Sequence, residues 1–93
     1  MHWRRWRSQA RTRIAATGPL QSLTIAELRL SEQPLTIDPH PHRRVRAWVR
    51  FGETPARVEA IVARWTPDAV GIRFTIGGAS HRCWVWLGAV ETI

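Results

Sequence analysis

Ninety-three residues, 44% of them apolar, support one modest core and exclude a second, because independent domains usually run to about 100 to 150 residues. All 14 basic residues are Arg and none is Lys; against seven acids they give the chain a formal charge of +7, which suits an anionic partner such as nucleic acid or an acidic protein surface. A lone cysteine, Cys83, excludes an intramolecular disulfide, and no apolar run approaches the roughly 20 residues that span a bilayer, so a soluble, cytoplasmic protein is expected.

Charge divides the chain into three. Residues 1–21 carry five Arg and no acid, residues 22–42 carry one Arg against three acids, and residues 43–93 carry eight Arg against four acids. Residues 1–19 read as an arm rich in Arg and Trp. Trp3, Trp6, Ala10 and Ile14 share a spacing that would place them on one helix face, and Gly18-Pro19 ends the run. An isolated helix needs about 12 to 15 residues to persist in water, so the arm is expected to be helical only where it docks, and otherwise mobile.

Residues 20–42 read as a short helix and a Pro-rich connector. Thr24 followed by Glu27 fits a capping box for a helix ending near Ser31, although Thr24, Ala26, Leu28 and Leu30 also fit a strand of period two. Leu35-Thr36-Ile37, between Pro34 and Pro39, fits a short extended segment on a sheet edge, and His40-Pro41-His42 fits a loop.

Residues 43–93 form the β-rich part. Val45, Ala47, Val49 and Phe51 alternate with Arg44, Arg46, Trp48 and Arg50, which predicts a strand with one apolar and one polar face. A loop over 52–55 leads to a second strand, 56–65, with Val58, Ala60 and Val62 on one face and Arg57, Glu59 and Ile61 on the other. Thr66-Pro67-Asp68 makes a turn, since proline presets φ for its second position. Val70, Ile72, Phe74 and Ile76 define a third strand, Gly77-Gly78 a tight hairpin, and 81–87 a fourth strand with His81, Cys83, Val85 and Leu87 on one face and Arg82, Trp84 and Trp86 on the other. Residues 89–93 fit a 3₁₀ turn or a short closing strand.

Within residues 45–90, the strand Arg57-Val58-Glu59-Ala60, the turn Trp65-Thr66-Pro67-Asp68, the run Val70-Gly71-Ile72-Arg73-Phe74 and the closing Val85-Trp86-Leu87-Gly88-Ala89-Val90 resemble an SH3-like small barrel of the Tudor and KOW kind. The resemblance implies a mainly β fold: an SH3-like antiparallel barrel or curled meander of four to five strands, preceded by a short helix and the Arg-rich arm. Its motifs are generic strand and turn patterns and imply no particular activity. Tudor-type aromatic cages draw several aromatics from loops, and a chain without Tyr offers none to assign.

If the strands pair as a meander, Arg and Trp side chains share the face opposite the core. Guanidinium groups grip phosphates, and indoles stack with unpaired bases at about 1–3 kcal/mol per base. The expected function is therefore a non-enzymatic module that binds DNA or RNA with little sequence preference. Arg46, Arg50, Arg73 and Arg82 would supply charge, Trp48, Trp84 and Trp86 the stacking surface, and Arg4, Arg5 and Arg7 the grip of the arm. The same residue types anchor protein interfaces, so a small assembly subunit docking on an acidic protein partner is the alternative. A third reading has the indoles packed under the N-terminal segment as a second small core.

No cofactor or metal is expected: His40 and His42, with His81 and Cys83, offer donors in a spacing that matches no zinc finger or knuckle. An enzyme is not expected either. Neither a phosphate-cradling Gly-rich loop nor a nucleophile elbow occurs, and Glu53, Glu59, Asp68 and Glu91 are scattered.

Overall fold

A computed structural model describes residues 13–93, so the arm residues Arg4, Arg5 and Arg7, with Trp3 and Trp6, lie outside the described residues. The architecture is mainly β, a six-stranded antiparallel sheet with little helix. Its strands are β1 (Thr36–Ile37), β2 (Arg44–Phe51), β3 (Thr54–Trp65), β4 (Ala69–Ile76), β5 (Ala79–Trp86) and β6 (Val90–Thr92). Their order is β5-β4-β3-β2-β6, with β1 beside the far end of β3, and the strand pairing does not close on itself.

Alternation drives the sheet. β2 has a strict exposed-buried repeat, and β3 keeps the same repeat from Pro55 to Ala60. Their register sets Val45 opposite Ala60 and Ala47 opposite Val58, so every inward side chain of β2 meets an inward one of β3. Phe51 and Ile72 are the largest fully buried side chains. The Phe51 ring stands edge-on to Phe74 at 6.5 Å and to His81 at 5.6 Å, while His81 stacks on Phe74.

Two turns follow from their residues. Gly77 and Gly78 both have positive φ (56° and 82°), the conformation a two-residue hairpin demands and glycine tolerates, so β5 begins at Ala79 rather than His81. At 66–68 the buried Thr66 hydroxyl accepts hydrogen bonds from the N–H groups of Asp68 (3.2 Å) and Ala69 (3.0 Å), fixing the turn from within.

Several boundaries differ from the sequence expectation. The expected 52–55 loop is only two residues long, because β3 already pairs with β2 at Thr54 and Pro55. The capping box at Thr24 and Glu27 forms, with both reciprocal hydrogen bonds, but helix α1 spans only Ile25–Leu28 instead of reaching Ser31. It stops where Arg29 takes the left-handed conformation (φ 52°), which carries the chain out of the helix. Leu87, expected on the core face, is exposed: it opens the 3₁₀ turn Leu87–Ala89, which rotates it out of the strand alternation. Of the two alternatives for residues 89–93, the strand forms, as β6 on the edge of β2, and the 3₁₀ turn comes earlier, over Leu87–Ala89. With the two-residue β1, β6 brings the strand number to six rather than four or five.

The segment before α1 has a structural task that no periodicity announces. Residues 13–15 are helical, Ile14 and Ala15 pack against the core, and the chain then crosses between the two edges of the sheet. Gln21 N–H donates to the Arg50 carbonyl, Leu23 N–H donates to the Trp84 carbonyl, and Trp84 N–H donates to Ser22 Oγ. Residues 20–23 thus hydrogen-bond to β2 on one side and β5 on the other. Gly18 permits this path: a Cβ there would lie 2.8 Å from the Gly52 backbone.

Candidate nucleic-acid interface

The outward face is ordered by strand register. Across β2 and β3, Trp48 stands opposite Arg57, Arg46 opposite Glu59 and Arg50 opposite Pro55; across β2 and β6, Arg46 stands opposite Glu91. Across β4 and β5, Gly71 stands opposite Trp84, Arg73 opposite Arg82 and Ala69 opposite Trp86. Both backbone groups of Trp84 bond to residues 22 and 23, away from β4. Gly71–Trp84 is therefore a non-hydrogen-bonded pair, and so, two residues along each strand, is Arg73–Arg82.

The charges separate into two districts. On the β2 side, Glu59 bonds Arg44 at 3.2 Å and Glu91 bonds Arg57, whose guanidinium also lies over the Trp48 ring at 5.9 Å from its centroid. Arg46 lies in register between those two glutamates. On the β4–β5 side, Arg73 and Arg82 are exposed, and among the described residues neither forms an ion pair. The same holds for Arg46 and Arg50. The exposed positive charge is thus least compensated over β4 and β5.

The three strand indoles differ. Trp48 (49% exposed) and Trp86 (46%) present ring surface to solvent, whereas Trp84 is half-buried. All three line one groove of about 420 Å³, together with Leu23, Arg50 and Pro55, at the gap between β2 and β5 that residues 20–23 cross. Trp48 on β2 and Trp86 on β5 are separated by β3 and β4 in the strand order, so the groove exists only because the sheet curls. Of the expected site residues, Trp48, Arg50, Trp84 and Trp86 meet in this groove. Arg73 and Arg82 line a second one of about 330 Å³, which Trp84 also borders, and Arg46 lines neither.

Arg64 belongs to this face and strict alternation misses it. Period two would set Arg64 beside Val62, inside. The register between β3 and β4 shifts between Val62 and Arg64, and the extra residue turns Arg64 outward and Trp65 against the core. Arg64 then stands opposite Gly71, and a Cβ on Gly71 would lie 2.7 Å from Arg64 Cγ and 3.3 Å from the Trp84 ring. The missing side chain is what lets the Arg64 stem and the Trp84 indole close over β4. The only sequence signal for this is a glycine inside an otherwise apolar strand run.

Cys83 and His81 are occupied structurally. Cys83 is buried, and desolvation pushes its thiol up to about 11, so it carries no thiolate at neutral pH. His81 packs between Phe51 and Phe74, and among the described residues no three His, Cys, Asp or Glu side chains converge. No protein-family model, no curated protein and no solved structure matches this chain.

Proposed function

We propose that this chain is a non-enzymatic binding module, an SH3-like small barrel in the cytoplasm, which engages DNA or RNA through its Arg and Trp face with little sequence preference. The observation that carries the reading is the groove where half-exposed Trp48 and Trp86 meet Trp84 and Arg50, continuous through Trp84 with the uncompensated Arg73 and Arg82. Stacking surface and phosphate grip are thereby adjacent, as binding of unpaired nucleotides requires. Arg46 adds a weaker contact, since two glutamates flank it. Arg4, Arg5 and Arg7 extend the grip along the arm.

The test is a titration of the full chain with single- and double-stranded oligonucleotides, read by tryptophan fluorescence. Log affinity for a single strand falls with log salt at about 0.7 per phosphate neutralised. Four arginines on the face alone give a loss of roughly 50-fold between about 50 and 200 mM salt, and the three arm arginines steepen it. Absence of binding at low salt removes the proposal.

The alternative is a small assembly subunit. The half-exposed Trp48 and Trp86 in one groove favour it, because aromatic anchors of that kind fill pockets on protein partners. It predicts a salt-tolerant association that Trp86→Ala abolishes, with negligible affinity for nucleic acid.

A further inference from the structure

We infer that Arg73 and Arg82 form a discrete seat for one phosphate group. This deepens the reading above, since a phosphodiester is one source of such a group; a free polyphosphate is another.

The two guanidinium stems stand directly opposite one another on β4 and β5, in the pair type that brings side chains closest, with Cα atoms about 4.5 Å apart. Like charges so placed destabilise a sheet. No in-register acid relieves them: β3 presents Ile61 opposite Arg73, and β2 presents Arg44 opposite Ile61. The row across four strands therefore reads Arg44, Ile61, Arg73, Arg82.

The surroundings leave room for an anion on both sides of the pair. β3 and β4 part after Ile61 and Arg73, because β3 continues along β2 while β4 continues along β5, and the parting opens a cleft of about 430 Å³ bordered by Thr75 and Ser80. On the other side, the 330 Å³ groove is lined by a third arginine, Arg64, whose stem and the Trp84 ring both lie over Gly71. Two carboxylates border these spaces. Glu59 is held by Arg44, and Asp38 accepts a hydrogen bond from the His40 N–H. A guanidinium fork matches a tetrahedral oxyanion with two parallel N–H donors, and the anionic oxygens of a phosphate between two forks convert a repulsion into two charge-assisted contacts.

The experiment uses the full chain, inorganic pyrophosphate and an oligothymidine, with Arg73→Gln, Arg82→Gln and, as a control of equal charge change, Arg13→Gln. Pyrophosphate should raise the melting temperature of the parent chain above a sodium chloride control of equal ionic strength. Arg82→Gln should melt higher than the parent without anion, because the repulsion is gone, and should lose the pyrophosphate response. Either substitution at the pair should weaken pyrophosphate about tenfold, and Arg13→Gln should leave it nearly unchanged.

In the unsubstituted chain, the Nε–Hε resonances of Arg73 and Arg82 should shift on titration. No melting shift, or equal weakening by Arg13→Gln, overturns the seat. If the oligothymidine binds equally well to the parent and both Arg73 and Arg82 variants while pyrophosphate does not bind, the seat fails and the binding module stands. If pyrophosphate binds through the pair while the oligothymidine does not, the seat stands and the nucleic-acid reading fails.

Discussion

Adding one methyl group at two glycines should move stability in opposite directions. At Gly71 the new Cβ would sit 2.7 Å from Arg64 Cγ and 3.3–3.4 Å from two atoms of the Trp84 ring, so the Arg64 stem must swing away and the indole must lift. Overpacking of this kind costs about 1–3 kcal/mol, and loss of unfolded-state freedom returns about 0.4–1 kcal/mol. Gly71→Ala should therefore destabilise by about 1.3 kcal/mol at the middle of these ranges, and by at most about 2.6 kcal/mol. At Gly88 a Cβ meets nothing within 4 Å, so Gly88→Ala keeps only the gain. In a domain of this size each kcal/mol moves the melting point by about 4–8 °C, and circular dichroism on the two variants and the parent resolves both signs. Tryptophan emission of Gly71→Ala should shift to longer wavelength as Trp84 is exposed. If Gly71→Ala melts at or above the parent, the packing of Arg64 and Trp84 over that glycine is wrong.

Cys83 supplies a pH dependence with a fixed sign. Burial raises its thiol from 9.0 to about 11, so between those values the folded chain holds a proton that the unfolded chain releases. Stability is full below pH 9, falls as pH rises to about 11, and the loss over the window is of order 2–3 kcal/mol. Melting curves from pH 8 to 11 should show a steeper decline for the parent than for Cys83→Ala; parallel declines would show the thiol to be accessible. Phe51→Ala should cost about 3–5 kcal/mol in urea denaturation, because it empties the contact with Phe74 and His81, whereas Leu87→Ala should stay within about 0.5 kcal/mol. Equal costs at the two sites would contradict the rotation of Leu87 out of the strand pattern.

The parts of the fold legible in the sequence are those where burial follows a local period. β2 and β4 are readable because Val45 to Phe51 and Ile72 to Ile76 each bury every second residue against a single core. The turns at 66–68 and 77–78 were readable because proline and paired glycines have few other uses. What escaped depends on pairing between distant segments. Arg64 faces outward because of an extra residue in β3, and a bulge leaves no local pattern. Leu87 leaves the core because β5 must give way to the 3₁₀ turn that brings β6 to β2. The grouping of Trp48 with Trp84 and Trp86 on one outward face followed from alternation, but their convergence in one groove needs the curvature of the whole sheet. The compensation of Arg57 by Glu91 spans 34 residues, which no reading of nearest neighbours supplies.

The crossing of residues 20–23 between β2 and β5 bears on the order in which the chain acquires its structure. Ser22 and Trp84 are 62 positions apart, and β6 at the C-terminal end must return to β2. Closing such long loops is slow relative to forming local hairpins, and it is compensated only once the far contacts exist. A nascent chain can zip β2 through β5 as successive hairpins as it emerges. It cannot seal the flank beside Trp84, or lay down β6, until those later strands have themselves emerged, so protection of the Trp84 amide against hydrogen exchange should mature after that of the β2–β3 hairpin.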